Sequence, residues 1–146
     1  DNKLLNVLKM ESQKQKLLLF LESINEDFSP PLTDKVSLEE YVNKIIENAE
    51  LVLESNNEEI CGLVVLYCND KQSNRAYIPL CGVNKEFRGK GIAKSLMEKA
   101  ILIVKKAGYH TLAIHSNNPI AINLYKKLGF KIIEGNERVY MELKIN

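Results

Sequence analysis

The chain has 146 residues, of which 45% are hydrophobic and 27% charged, and this composition fits one globular domain over residues 1–146. Its 20 Lys and Arg residues nearly balance its 19 Asp and Glu residues, for a formal net charge of +1. That balance excludes the strongly basic footprint of a nucleic-acid binder, and the apolar runs are too short to span a bilayer. We therefore expect neither nucleic acid nor a membrane as a partner.

The cysteine pattern bears on the compartment and on metal binding. Cys61, Cys68 and Cys81 form an odd set without a C-x-x-C pair. Such a set indicates reduced thiols in a cytoplasmic protein, used mostly as small buried apolar groups. Together with His110 and His115 the cysteines match no zinc-site spacing, so no metal is expected.

The first third of the chain has mainly helical periodicity. Residues 4–8 are apolar-rich and are assigned to a strand, although a helical turn fits nearly as well. A capping box at Ser12 and Gln15 predicts that a helix begins there and continues to Ile24. Prolines then interrupt the pattern, and a second capping box predicts a helix over residues 37–46.

From residue 50 the period changes from helical to extended. Three strands joined by short polar turns predict an antiparallel meander over residues 51–53, 60–67 and 76–83. A helix over 92–104, a strand over 111–115, a helix over 118–129 and two terminal strands over 130–133 and 139–145 follow. The predicted order is β-α-α-β-β-β-α-β-α-β-β, an α/β (α+β) fold with a mixed, mostly antiparallel sheet and helices on both faces.

The strongest chemical signal is a glycine-containing loop between a predicted strand and a predicted helix. Gly89 and Gly91 allow the backbone to approach a ligand closely, and the helix that follows offers unpaired N–H groups and the positive end of its dipole. Arg88 and Lys90 add positive charge. The loop predicts an anion site suited to a pyrophosphate, although a tight turn without a ligand would explain the glycines equally well. Neither the P-loop pattern nor the dinucleotide fingerprint is matched.

Two motifs resemble those of the GNAT acetyltransferases. The acyl-CoA loop of that family, Q/R-x-x-G-x-G/A, is matched by Arg88, Gly91 and Ala93. The family segment N-x-x-A-x-x-L-Y-x-x-x-G-F is matched at every fixed position by residues 118–130. The two motifs and the elements between and around them cover roughly residues 60–145, whereas the N-terminal third is similar only in pattern.

The resemblance implies an acetyl-CoA-dependent N-acetyltransferase that moves an acetyl group directly to an amine. The pantetheine arm is then expected between two splayed strands, on backbone groups of Leu80, Cys81 and Val83. The expected pyrophosphate ligands are the backbone groups of the loop and the first helical turn: Arg88, Gly89, Lys90, Gly91, Ile92 and Ala93.

The second motif implies two further site residues. Asn118 is expected to contact CoA, to cap the helix, or both. Tyr125 matches the family tyrosine thought to protonate the departing CoA thiolate. A packing role for Tyr125 stays open.

The general base is not evident from the sequence. Relatives that acetylate ribosomal-protein N-termini carry a glutamate where this chain has Ala113. This difference argues against the same peptide acceptor. His115 lies two residues further on the same strand face and has a suitable pKa. A surface role for His115 is one alternative. A water chain assisted by Tyr77, Glu26, Asp27 or Asp34 is another. Cys81 as an acyl-carrying nucleophile is a less favoured possibility.

The acceptor is the least defined part of the prediction. The resemblance implies that residues 25–34 line the side of the site where the acceptor binds. Acidic side chains there would favour a small cationic amine, and the segment contains Glu26, Asp27 and Asp34. An ordinary polar loop is the alternative interpretation. The rival functions are an acyl-CoA-binding sensor or partner module without turnover, a protein or peptide N-acetyltransferase, and an unrelated phosphate-binding scaffold. The sequence is compatible with a monomer or a homodimer.

Overall fold

The computed structural model describes residues 2–146, which form four α-helices and six strands. The helices are α1 (Asn2–Ile24), α2 (Leu38–Asn48), α3 (Ile92–Lys106) and α4 (Pro119–Lys127). The strands are β1 (Glu50–Asn56), β2 (Glu59–Tyr67), β3 (Arg75–Val83), β4 (Thr111–Ser116), β5 (Lys131–Gly135) and β6 (Val139–Lys144). Short 3-10 turns at Asn25–Asp27, Leu32–Asp34 and Lys85–Phe87 connect some of them.

The strands form one twisted sheet in the order β1-β2-β3-β4-β6-β5. β3 and β4 run parallel, and the other neighbouring pairs are antiparallel. The predicted meander of β1, β2 and β3 and the mixed, mostly antiparallel sheet are confirmed. Since parallel neighbours need a crossover, α3 carries the chain from β3 to β4.

Two apolar cores cover the two faces of the sheet. Leu17, Phe20, Leu21 and Ile24 recur at helical spacing on α1 and pack with α2 against one face. Leu96, Met97, Ala100 and Val104 of α3 pack with α4 against the other. Helices on both faces agree with the predicted fold class.

The N-terminal segment differs from the prediction. Residues 4–8 belong to α1 instead of a strand, and Ser12 lies inside that helix instead of capping it. No Gly or Pro interrupts residues 2–24, and most of these residues are good helix formers, which explains the continuous helix. Leu4 and Leu8 remain 60% and 58% exposed, so apolar content alone was misleading.

Two capping signals later in the chain are confirmed at their predicted positions. The Ser37 hydroxyl accepts a hydrogen bond from the Glu40 N–H at 3.1 Å, at the start of α2. Gly108 follows α3 with a φ of +83°, the left-handed conformation expected after a helix C-terminus. These signals fix where α2 begins and where α3 ends.

Candidate active site

β3 and β4 separate at the middle of the sheet. They pair over Arg75–Ile78 and Thr111–Ile114 and no further. Just beyond, the β2–β3 register shifts between Val65 and Tyr67, which marks a bulge in β3 beside Pro79. Proline has no N–H to donate to a ladder, so it suits this break. The gap expected from the resemblance is present.

The alternation of hydrogen bonds shows which backbone groups of β3 face this gap. The Asn84 N–H donates to the Cys61 carbonyl of β2 at 2.8 Å. Successive residues of a strand direct their backbone groups to opposite sides. Leu80 therefore faces β2, where its ladder partner is Val65. The predicted role of Leu80 as a backbone ligand finds no support in this alternation.

Cys81 and Val83 are the β3 residues whose backbone groups point into the gap. The Val83 carbonyl accepts a hydrogen bond from Arg88 Nε at 3.0 Å. The Cys81 N–H and carbonyl and the Val83 N–H are thus the groups with which β3 can bind an extended amide-containing arm.

The loop after β3 has the backbone conformation that its glycines suggested. Gly89 and Gly91 have φ values of +77° and +80°, and Gly91 is the left-handed N-cap of α3. No side chain caps this helix N-terminus. The N–H groups of its first turn, at Ile92 and Ala93, are therefore available to an anion.

The charged side chains of the loop are directed elsewhere. Besides its bond to Val83, Arg88 forms an ion pair with Asp27 in the turn after α1. The Lys90 ammonium lies over the Phe87 ring, 5.3 Å from its centroid. Arg88 thus joins two loops at the gap, and the backbone provides the anion-binding groups.

A groove of about 1090 Å³ runs through the gap and reaches both faces of the sheet. Eleven of the twelve predicted site residues line it, and Lys90 is the exception. Those eleven are Leu80, Cys81, Val83, Arg88, Gly89, Gly91, Ile92, Ala93, His115, Asn118 and Tyr125. The structure therefore brings both sequence motifs to one continuous site.

Tyr125 enters the groove from α4 and meets Cys81. The Tyr125 side chain is 4% exposed and has the Cys81 thiol as its neighbour. Burial, followed by the neighbouring thiol, raises the pKa of Tyr125 far above its usual range. Burial of the sulfur raises the pKa of Cys81 to about 11, against a smaller opposing effect of the Tyr125 hydrogen bond. Both groups are therefore protonated at neutral pH.

Asn118 acts as a helix cap. Its Oδ1 accepts hydrogen bonds from the N–H groups of Ile120 at 2.9 Å and Ala121 at 3.4 Å. Pro119 follows at the first helical position, as the sequence suggested. The cap sets where α4 begins and hence where Tyr125, two turns further, meets the gap.

His115 lies at the end of β4 among aromatic side chains. The Tyr77 hydroxyl is 2.7 Å from His115 Nδ1, and the Tyr140 ring centroid is 4.8 Å from that of His115. Burial and then Arg138 lower the pKa of His115 below its ordinary 6.5, with Glu134 opposing. The imidazole is thus mainly neutral at pH 7, the form that can accept a proton.

A second cavity of about 710 Å³ lies beside His115 on the α2 face of the sheet. Ala113 pairs in register with Tyr77 on one side and Glu142 on the other, and its small side chain leaves space there. The cavity lining is Lys44, Tyr67, Asn69, Asp70, Arg75, Tyr77, Ala113, His115, Glu134 and Tyr140. Most of these residues carry no motif, so only the topology reveals that they share a wall.

The acids proposed for the acceptor wall do not converge on the groove. Asp27 lines the groove but is paired with Arg88, whereas Glu26 and Asp34 do not line it. The expectation that these acids select a cationic acceptor therefore loses its basis.

Residues 2–146 contain no helix long and apolar enough to cross a membrane. They also contain no group of three or more His, Cys, Asp or Glu side chains placed to hold a metal ion.

The splayed strands, the glycine loop and the tyrosine helix define a known class of protein. The model of the Acetyltransferase (GNAT) family matches residues 17–130, and the chain belongs to that family.

Three relatives illustrate the similarity. The chain is 38% identical over 74 residues to GCN5-related N-acetyltransferase 6, chloroplastic, of Arabidopsis thaliana, a match covering 47% of this chain and 26% of the relative. It is 33% identical over 58 residues to N-alpha-acetyltransferase 30 of Schizosaccharomyces pombe, covering 38% and 39%. A solved GNAT family acetyltransferase from Elizabethkingia anophelis with acetyl-CoA bound has a TM-score of 0.60 and 26% identity, covering 72% of this chain and 82% of that one. The matched segments thus span well under half the length of the relatives from Arabidopsis thaliana and Schizosaccharomyces pombe.

Proposed function

We propose that this chain is an acetyl-CoA-dependent N-acetyltransferase that transfers the acetyl group directly to the primary amine of a small molecule. The observation that carries the proposal is the groove through the β3–β4 gap, with free backbone groups on one wall and Tyr125 on the other. The relative from Elizabethkingia anophelis has acetyl-CoA bound, which supports the same cosubstrate here.

The residues of this chain fit each part of that cosubstrate. The N–H groups at the start of α3 would hold the pyrophosphate, with Gly91 keeping the approach open. The inward backbone groups of Cys81 and Val83 would hold the pantetheine amides. An N–H at this wall would also polarise the thioester carbonyl.

The chemical step then needs one acid and one base. The amine nitrogen attacks the thioester carbon, a C–N bond forms and the C–S bond breaks. His115, with its lowered pKa, accepts the proton that the amine loses. Tyr125, protonated at neutral pH, donates a proton to the departing thiolate. Since Cys81 is protonated as well, direct transfer is favoured over an acetyl-cysteine intermediate.

A second candidate acceptor is the N-terminal amine of a peptide, since N-alpha-acetyltransferases are among the relatives. The resemblance implies a glutamate at the position of Ala113 in relatives that acetylate ribosomal-protein N-termini, and the alanine here favours a small acceptor.

A thiol-release assay with acetyl-CoA against amines, amino acids, amino sugars, polyamines and peptides tests the proposal. We expect thiol release to depend on a small primary amine, with the acetylated amine as product. Thiol release only with peptides would show that the acceptor is a peptide instead of a small molecule. CoA binding without thiol release under any condition would favour a sensor.

A further inference from the structure

Two basic side chains at the acceptor end of the groove have no partner in the described part of the chain. The Lys44 ammonium of α2 and the Arg138 guanidinium, just before β6, form neither a hydrogen bond nor an ion pair there. Both residues line the groove. They approach the site from different elements, one from the helical layer and one from the β5–β6 hairpin.

Their position is next to the candidate base. Lys44 and His115 line both the groove and the smaller cavity, so they lie where the two meet. Val139 pairs with Ser116 at the end of β4, which brings the preceding Arg138 beside that strand end. The Arg138 charge acts on both His115 and Tyr77, consistent with this placement.

The other charged groups of the cavity are already engaged, with one exception. Arg75 donates to the Tyr140 hydroxyl at 2.8 Å and pairs with Glu142 at 3.6 Å. Asp70 accepts hydrogen bonds from Ser73. Glu134 has no ion-pair partner among residues 2–146 and acts on His115 electrostatically. Within residues 2–146, Glu134 and Lys44 are thus the unpaired charges that line the cavity beside His115, and Arg138 adds a positive charge from the adjoining groove.

This arrangement is complementary to a molecule with charges of both signs. We propose that the acceptor is a small amino carboxylate, with its carboxylate bound by Arg138 and Lys44 and its amine beside His115 and Glu134. The planar guanidinium can bind a carboxylate through two parallel hydrogen bonds, and the ammonium adds a point charge. This inference rests on the proposed transfer to a small amine and specifies the acceptor.

A homologous series separates the contribution of the carboxylate from that of the amine. Glycine, β-alanine, 4-aminobutyrate, 5-aminovalerate and L-α-amino acids are each compared with the corresponding amide. For the acceptor of matching length we expect the KM of the amide to exceed that of the acid by about 10- to 100-fold, the usual effect of a charge-assisted hydrogen bond. Equal KM values for acid and amide throughout, or turnover only with acidic peptides, would overturn the inference.

Matched variants locate the effect. In Arg138→Gln and Lys44→Met the KM ratio of amide to acid should fall toward one. Lys131→Gln, a change at an exposed strand residue outside the groove lining, should keep the wild-type ratio. A ratio retained in the double variant would show that neither cation binds the carboxylate.

A binding measurement distinguishes failure of this inference from failure of the proposed function. Calorimetry with the protein saturated with CoA should detect the amino carboxylate but not its amide, and Arg138→Gln should remove that binding. Binding without acetyl transfer would refute the enzyme function and keep the carboxylate site. Transfer without preference for the acid, or no binding of the acid at all, would refute the carboxylate site.

Discussion

At the scale of single residues, Tyr125 and Cys81 lie side by side in the part of the groove where we propose the chemical step. The phenol is buried and protonated, with the thiol as its neighbour. When a thioester sulfur occupies the gap, the same phenol has a proton available for it.

Tyr125→Phe keeps the ring and removes only the proton. Fold and CoA affinity should be retained, because the packing of the ring against Phe130, at 5.8 Å between centroids, does not need the hydroxyl. The single-turnover rate should fall by about 10²–10⁴-fold, the usual contribution of a positioned acid. Single-turnover rates are needed because slow product release can conceal the chemical step. Equal rates for the two proteins would make Tyr125 a packing residue.

His115→Gln tests the base and its pKa. In the proposed mechanism the neutral imidazole accepts the proton. The wild-type rate should therefore rise with pH through the histidine pKa, which burial and Arg138 keep below 6.5. In the variant this rise of the rate with pH should be absent. Its rate at pH 7 should be about 10²–10⁴-fold lower than that of the wild type. The measurement is the single-turnover rate at saturating acceptor between pH 5 and 8. An unchanged profile in the variant would assign the proton to water.

At the scale of elements, the proposed anion site lies at the junction of β3 and α3. Gly91 and Gly108 flank the two ends of α3 with nearly the same φ, +80° and +83°, and an added Cβ meets nothing within 4 Å at either. A leucine at either position incurs a similar backbone penalty of about 1–2 kcal/mol. The two positions differ in that only Gly91 lines the groove.

Gly91→Leu should therefore abolish CoA binding, and Gly108→Leu should leave it intact, while both variants lose similar thermal stability. Calorimetric titration with CoA and thermal unfolding of each variant provide the comparison. If both variants lose CoA affinity equally, backbone strain instead of the anion site would explain the loss.

Elements with local signals were predictable, and those that depend on distant partners were not. Ser37 and Asn118 cap their helices through hydrogen bonds to nearby N–H groups, so the sequence alone locates α2 and α4. By contrast, residues 4–8 are mostly apolar yet exposed on α1, so their apolar content indicated neither burial nor a strand. The pairing of Arg88 with Asp27 spans 61 residues and could not be read from either motif.

At the scale of the whole molecule, the sheet topology assembles the site. Two motifs more than twenty residues apart converge because β3 and β4 are parallel neighbours that separate halfway along. The same topology brings Lys44 of α2, together with Arg138 and Tyr140 of the β5–β6 hairpin, to His115. The cosubstrate side was therefore predictable from motifs, whereas the acceptor side required the three-dimensional structure.

The central claim is that acetyl-CoA bound in this groove gives its acetyl group directly to an amine. A rapid-quench experiment with excess protein over acetyl-CoA, analysed by mass spectrometry, tests it most directly. Without an amine, acetyl-CoA should persist and the protein mass should not change. With the amine identified by the thiol-release panel, free CoA and acetylated amine should appear together in equal amounts. An acetylated protein that precedes the product, or acetyl-CoA that stays intact with every amine, would contradict the claim.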